Sequence, residues 1–192
     1  MVAQTLRADN AWKSPLTWYL DRFEVLRHAA AIAPKTGLVL EFGVAMGTTI
    51  RCLAGSAPLL DRLIYGFDSF KGLPEPWADY KKGHFACDIP EVPNNVELVI
   101  GKFEDTLLPF LDNHTDDDIA LIHIDCDLYS STKCVLDHLT SWIVPGTVIV
   151  LDEFWIITDQ EQKAFLDWLE ENKRVCRHEA RSIEQLCVVM QD

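Results

Sequence analysis

The stretch Gly37-Leu38-Val39-Leu40-Glu41-Phe42-Gly43-Val44-Ala45-Met46-Gly47-Thr48-Thr49 decides how this chain folds. Apolar residues bracket Glu41 and two glycines follow, which reads as a buried strand, a glycine turn and a helix start. Glycine lets a backbone pass close beneath a ligand, and a helix N-terminus points free N–H groups at what lies there. The spacing is Glu-x-Gly-x-x-x-Gly, not the Gly-x-Gly-x-x-Gly of dinucleotide binders. A second apolar run, Leu63-Ile64-Tyr65-Gly66-Phe67, ends in Asp68. An acid at the tip of a second strand can accept hydrogen bonds from a ribose diol. The two stretches together predict a nucleoside site.

Outward from this pair, strands and helices alternate. Strand segments are expected at 37–42, 62–68, 96–100, 119–125 and 147–152, with helices at about 47–57, 104–113, 129–142 and 160–172. Two short strands near 174–178 and 185–190 close the chain. Upstream, Ser14-Pro15 offers a capping hydroxyl and a proline at the first helical position. Leu16, Tyr19 or Leu20, Phe23, Leu26 and Ala30 then continue at helical spacing, predicting a helix up to Pro34 that packs on the sheet or covers a ligand's mouth. Residues 69–95 form a long irregular segment with Trp77, Tyr80, His84 and Phe85, either a functional loop or an insertion plugged by its own aromatics.

Alternating strands and helices with short connections specify a doubly wound α/β sheet, mostly parallel, with helices on both faces. In such sheets ligands sit outside the carboxyl ends of the strands. Those ends carry Gly43, Asp68, Gly101, Asp125 and Asp152.

The length of 192 residues fits one domain, 1–192, with residues 1–36 as an N-terminal helix or lid region. Net charge is −13, from 17 basic and 30 acidic residues, which argues against nucleic acid or an anionic membrane as partner. The six cysteines form no Cys-x-x-Cys pair. Most sit in apolar runs, so free thiols and a cytoplasmic location are expected.

Two motifs concentrate acids: His123-Ile124-Asp125-Cys126-Asp127-Leu128-Tyr129 and Leu151-Asp152-Glu153-Phe154. If their strands are neighbours, Asp125, Asp127, Asp152 and Glu153 share one pocket, and carboxylates that close need a cation to stay ionised. Oxygen ligands suit magnesium, calcium or manganese. His123, flanked by isoleucines, reads as a satisfied core histidine.

With Glu41-Phe42-Gly43-Val44, Gly66-Phe67-Asp68-Ser69-Phe70-Lys71-Gly72-Leu73-Pro74, Gly101-Lys102-Phe103-Glu104-Asp105-Thr106-Leu107 and the two acid motifs in this order, the chain resembles the S-adenosylmethionine-dependent O-methyltransferases of the macrocin O-methyltransferase family. The resemblance spans roughly residues 37–170. It implies a class I methyltransferase (Rossmann-like) sheet with a C-terminal antiparallel strand. It also implies a metal, Mg2+ or another hard divalent cation, on Asp125, Asp152 and Glu153, with Asp127 as general base. The cofactor S-adenosylmethionine is then expected on Glu41, Gly43, Val44, Gly47, Thr48 and Thr49 (methionine part), Asp68 and Ser69 (ribose), Gly101, Lys102 and Phe103 (adenine), and Asp125. The chain departs from the family in having Asp-Glu at 152–153 where Asp-Asp is usual, and in being short at the N-terminus.

The expected reaction is metal-dependent methyl transfer to a hydroxyl of a small, sugar-like or otherwise hydroxylated metabolite. A homodimer is an open option. Two other readings remain: a nicotinamide-dependent Rossmann oxidoreductase, which the missing glycine fingerprint disfavours, and a non-catalytic nucleoside-binding domain.

Overall fold

A computed structural model describes residues 16–155 and 160–192. In chain order its strands are β1 (Thr17–Trp18), β2 (Leu38–Phe42), β3 (Ile64–Asp68), β4 (Val96–Ile100), β5 (Ile119–Ile124), β6 (Val148–Leu151), β7 (Cys176–Arg181) and β8 (Leu186–Met190). The α-helices are α1 (Arg22–Ile32), α2 (Thr48–Ala54), α3 (Phe103–Leu111), α4 (Tyr129–Leu139) and α5 (Gln160–Asn172). The strands form one sheet in the order β1-β7-β8-β6-β5-β2-β3-β4. All pairs are parallel except those of β8, which runs antiparallel between β6 and β7.

Strand alternation divides the core into two layers. Leu38, Leu40, Phe42, Ile122, Ile124, Ile149 and Leu151 face one side, against Leu107, Leu136, Phe165 and Trp168 of α3, α4 and α5. Val39, Leu121, Val148 and Val150 face the other, against Val25, Leu26, Ala29 and Ala30 of α1 and Ile50 and Leu53 of α2. The central strands are buried on both faces, which is why they read as near-continuous apolar runs.

The N-terminal helix is shorter than the periodicity suggested. Ser14 and Pro15, its expected start, lie outside the described residues, but residues 16–21 are not helical. Thr17–Trp18 instead adds an edge strand beside Ala180 and Arg181. The helix begins at Arg22, capped by Asp21, whose carboxylate accepts the Phe23 N–H at 2.9 Å. Leu20 shows why the longer helix failed: it is 99% exposed, so its apolar spacing found no core to face.

In the 69–95 segment, Trp77, Tyr80, His84 and Phe85 stack on one another, with Tyr80 and His84 rings 4.4 Å apart. The aromatics thus plug a cluster of their own, while Leu73, Pro74, Glu75 and Phe85 of the same segment also line a cavity at the sheet's carboxyl edge. All six cysteines are free.

Candidate active site

The register brings the strand tips level. Phe42 lies beside Phe67 and Ile124, and Ile124 beside Leu151, so the turns after β2, β3, β5 and β6 open on one crevice. A cavity of about 660 Å³ fills it. The turn after β2 can come that close to β5 because residue 43 is glycine. Its φ is +90°, and a Cβ there would sit 1.7 Å from the Asp125 carbonyl oxygen.

Asp68 ties this turn down. Its Oδ2 accepts the N–H groups of Val44 at 2.9 Å and Ala45 at 2.8 Å, and its Oδ1 accepts that of Phe70 at 2.8 Å. A carboxylate offers about four lone-pair sites and three are taken here, so Asp68 can hold the turn and still meet a hydroxyl in the cavity through Oδ1.

Of the other residues expected at the cofactor, Gly43, Val44, Thr48, Thr49, Ser69, Gly101, Lys102, Phe103 and Asp125 line the cavity with Asp68. Glu41 and Gly47 do not. Glu41 is fully buried beneath it, accepting from the Thr49 hydroxyl at 2.9 Å and pairing with His123 Nδ1 at 3.0 Å. Each of its oxygens thus already has one partner below the cavity floor. Gly47 serves α2 as a left-handed N-cap with φ +76°.

Asp125, Asp127, Asp152 and Glu153 all line this cavity. Burial, reinforced by the Asp152 charge, pushes the Asp125 carboxyl up to about 7. Burial with the charges of Asp152 and Asp68 brings Asp127 up to about 6. Glu153 rises furthest, to about 9, through burial and the neighbouring Asp127 and Glu161 charges. Asp152 is depressed instead: burial opposes this, but His123 and Arg22 on either side outweigh it.

His123 is buried, as expected, yet it is more than a core filler. Burial would lower its pKa, but Asp152 and Glu41 overcome this and push it up to about 10. Its Nε2 lies 3.7 Å from Asp152 Oδ1, and Gln185 also donates to that oxygen. The result is an alternating line of charge under α1: Glu41, His123, Asp152, Arg22, Asp125.

Arg22 was not anticipated. It is the first residue of α1, and its Nη2 sits 2.8 Å from Asp125 Oδ2 and 2.9 Å from Asp152 Oδ1. Glu161 on α5 was also missed. It is 1% exposed, and burial, opposed by its backbone hydrogen bonds, leaves its carboxyl at about 8.

Two of the expected metal ligands converge. Asp125, Asp152 and His123 each bring one donor atom within 4.8 Å of the others, while Glu153 stands outside that group. Glu153 Oε2 is buried without a hydrogen-bond partner among the described residues. Carboxylate oxygens with an unsatisfied neighbour fit a hard divalent cation. A protonated His123 does not ligate, and Arg22 holds the place between the two aspartates.

The strand order with its one antiparallel strand, the glycine turn after β2 and the acids at the tips of β3, β5 and β6 define a class I methyltransferase fold. A family model described as a methyltransferase domain matches residues 40–154, and the chain belongs to that family. Among solved structures, the calicheamicin methyltransferase CalS11 is similar at a TM-score of 0.71 and 22% identity, covering 88% of this chain and 77% of that one. The O-methyltransferase NovP is similar at 0.69 and 19%, covering 89% and 80%. An O-methyltransferase from Bacillus cereus in complex with SAH gives 0.53 and 14%, covering 100% and 90%. At these identities the likeness is one of fold. A sequence search among curated proteins finds no match. Among the described residues, no helix is long and apolar enough to cross a membrane.

Proposed function

We propose that the protein is an S-adenosylmethionine-dependent O-methyltransferase of macrocin type, acting on a hydroxyl of a small metabolite with the help of a hard divalent cation. The observation that carries this reading is the convergence on one cavity of the Asp68-anchored turn and the acid set of β5 and β6. The cofactor supplies an electrophilic methyl group. A cation held by Asp125 and Asp152, with Glu153 beside them, would lower the pKa of an acceptor hydroxyl toward the operating range.

The chain's own residues do the rest. Gly43, Val44, Thr48 and Thr49 would border the methionine part of the cofactor, Asp68 and Ser69 its ribose, and Gly101 to Phe103 its adenine. Asp127, at about 6, is matched to accept the acceptor's proton near neutral pH. Phe23, Leu73, Pro74 and Phe85 give the cavity part of an apolar lining.

Incubation with S-adenosylmethionine, magnesium and pooled hydroxylated metabolites, read as SAH release, tests the proposal. Carboxylate-dependent release is expected. A protein that binds SAH but never turns over would instead be the non-catalytic nucleoside binder, and one that binds NAD in place of SAH would be the oxidoreductase.

A further inference from the structure

The carboxylate of Glu161 belongs to helix α5, yet among the described residues its hydrogen bonds all go to the backbone of the two acid-bearing tips. Its Oε1 accepts the N–H of Cys126 at 2.9 Å and of Asp127 at 3.2 Å. Its Oε2 accepts the N–H of Glu153 at 3.2 Å. One side chain thus binds the turn after β5 to the turn after β6.

An ordinary core does not need this residue. Glu161 lies on the same stripe of α5 as Ala164, Phe165 and Trp168, all buried and apolar. Setting a further carboxylate beside Asp125 and Asp152 is electrostatically unfavourable, so an apolar residue would pack there at less cost. What an apolar residue could not do is accept three backbone N–H groups, that of Cys126 buried and those of Asp127 and Glu153 half-buried. Nor could it hold Asp127 in its left-handed conformation, φ +61°, which a non-glycine residue adopts only when its surroundings impose it. Helix α4 starts just beyond, and its N-cap Leu128 offers no side-chain cap; the turn's other ties are the Leu128 N–H to the Cys126 carbonyl at 2.6 Å and the Tyr129 N–H to Gln160 Oε1 at 3.1 Å, neither of which reaches the Asp127 N–H.

We infer that Glu161 is a positioning residue for methyl transfer, a buried clamp that sets Asp127 and Glu153 relative to the Asp125–Asp152 pair. The inference rests on the reading of the site as a metal-assisted methyltransferase. It assigns Glu161 no contact with substrate.

The test compares Glu161→Gln and Glu161→Ala in the full chain, titrating magnesium by calorimetry into protein saturated with SAH. Gln keeps the volume and one accepting oxygen. That oxygen best serves Cys126 and Asp127 together, leaving the amide facing the Glu153 N–H. Magnesium affinity is therefore expected to fall roughly 10-fold in Glu161→Gln and up to about 100-fold in Glu161→Ala, the range for outer partners of metal ligands. SAH affinity should stay within about twofold in both, since the clamp does not touch the β2 turn. Amide hydrogen exchange at Asp127 should quicken in Glu161→Ala and remain slow in Glu161→Gln. Unchanged magnesium affinity in Glu161→Ala overturns the inference, as does a parallel loss of SAH and magnesium binding, which marks general damage. Wild-type protein that binds SAH but no magnesium overturns it too, leaving the cofactor reading intact. Wild-type protein that binds no SAH removes the function reading itself, and the inference with it.

Discussion

Replacing Arg22 by alanine is the sharpest test of how the acid cluster is neutralised. The guanidinium makes charged contacts of 2.8 and 2.9 Å with Asp125 and Asp152. At an effective dielectric of about 20, unit charges 4 Å apart attract by about 4 kcal/mol, but desolvation returns much of this. A hydrogen bond to a charged group nets about 1.5–3 kcal/mol. Because the Arg22 side chain is 36% exposed, the lower part of that range applies. About 2 kcal/mol is a fair expectation for the variant, or a Tm lower by ~4–8 °C for a chain of this size.

Magnesium reverses the comparison. A divalent cation entering between Asp125 and Asp152 has to displace Arg22 in the wild type but not in Arg22→Ala. If displacement costs about 2 kcal/mol, the variant binds magnesium about 30-fold more tightly. At 100 times its Kd, magnesium stabilises the variant by about 2.7 kcal/mol, enough to restore its Tm. Scanning fluorimetry and calorimetry with magnesium measure both. Equal or weaker magnesium affinity in Arg22→Ala would falsify the idea that arginine and metal share one place. Arg22→Gln, which keeps most of the packing, repeats the measurement should alanine prove too unstable.

Asp127→Asn should bind SAH and magnesium normally yet lose turnover by roughly 10²–10⁴-fold, with no recovery at high magnesium, whereas a fully active variant removes the base. Asp68→Ala should weaken SAH binding by on the order of 1–3 kcal/mol, since the turn loses its anchor and a hydroxyl loses its acceptor; calorimetric affinity unchanged within error refutes this. Stability should also depend on pH in a definite direction. Glu153 holds its proton up to about 9 when folded against an ordinary 4.5, and Glu161 up to about 8 against the same value. The folded chain thus binds protons that the unfolded chain releases across this window, so stability is fully present below about pH 4.5 for these groups and declines up to about pH 9. Denaturant midpoints that rise between pH 5 and 9 without metal contradict it.

The fold was legible because its signals are local. Val39, Leu121 and Val150 sit in strands buried on both faces, and a buried strand announces itself by its own composition. The tips were legible for the same reason: a parallel sheet sends each strand's carboxyl end to one side, so Asp68, Asp125 and Asp152 had to share a crevice once the strands were placed. The start of α1 was not legible. Apolar spacing over Leu16 and Leu20 imitates a helix, and the pairing of Thr17–Trp18 with β7, a contact from the far end of the chain, decides otherwise. For Glu41 the sequence gives the strand but not the depth, which is full burial beneath the cavity.

Arg22 and Glu161 share a cause, and with it a usable signal. Each occupies the position that extends its helix's apolar stripe toward the sheet's carboxyl edge. Arg22 precedes Val25, Leu26 and Ala29, and Glu161 precedes Ala164, Phe165 and Trp168. A charge at such a position points into the protein, where it costs free energy unless something opposite needs it. Here the things opposite are a pair of aspartates for Arg22 and three backbone N–H groups for Glu161. The acids of β5 and β6 therefore reach their geometry from outside their own strands. α1 holds their charge and α5 holds their backbone, so a change in either helix should be felt at the acceptor before it is felt at the nucleoside end.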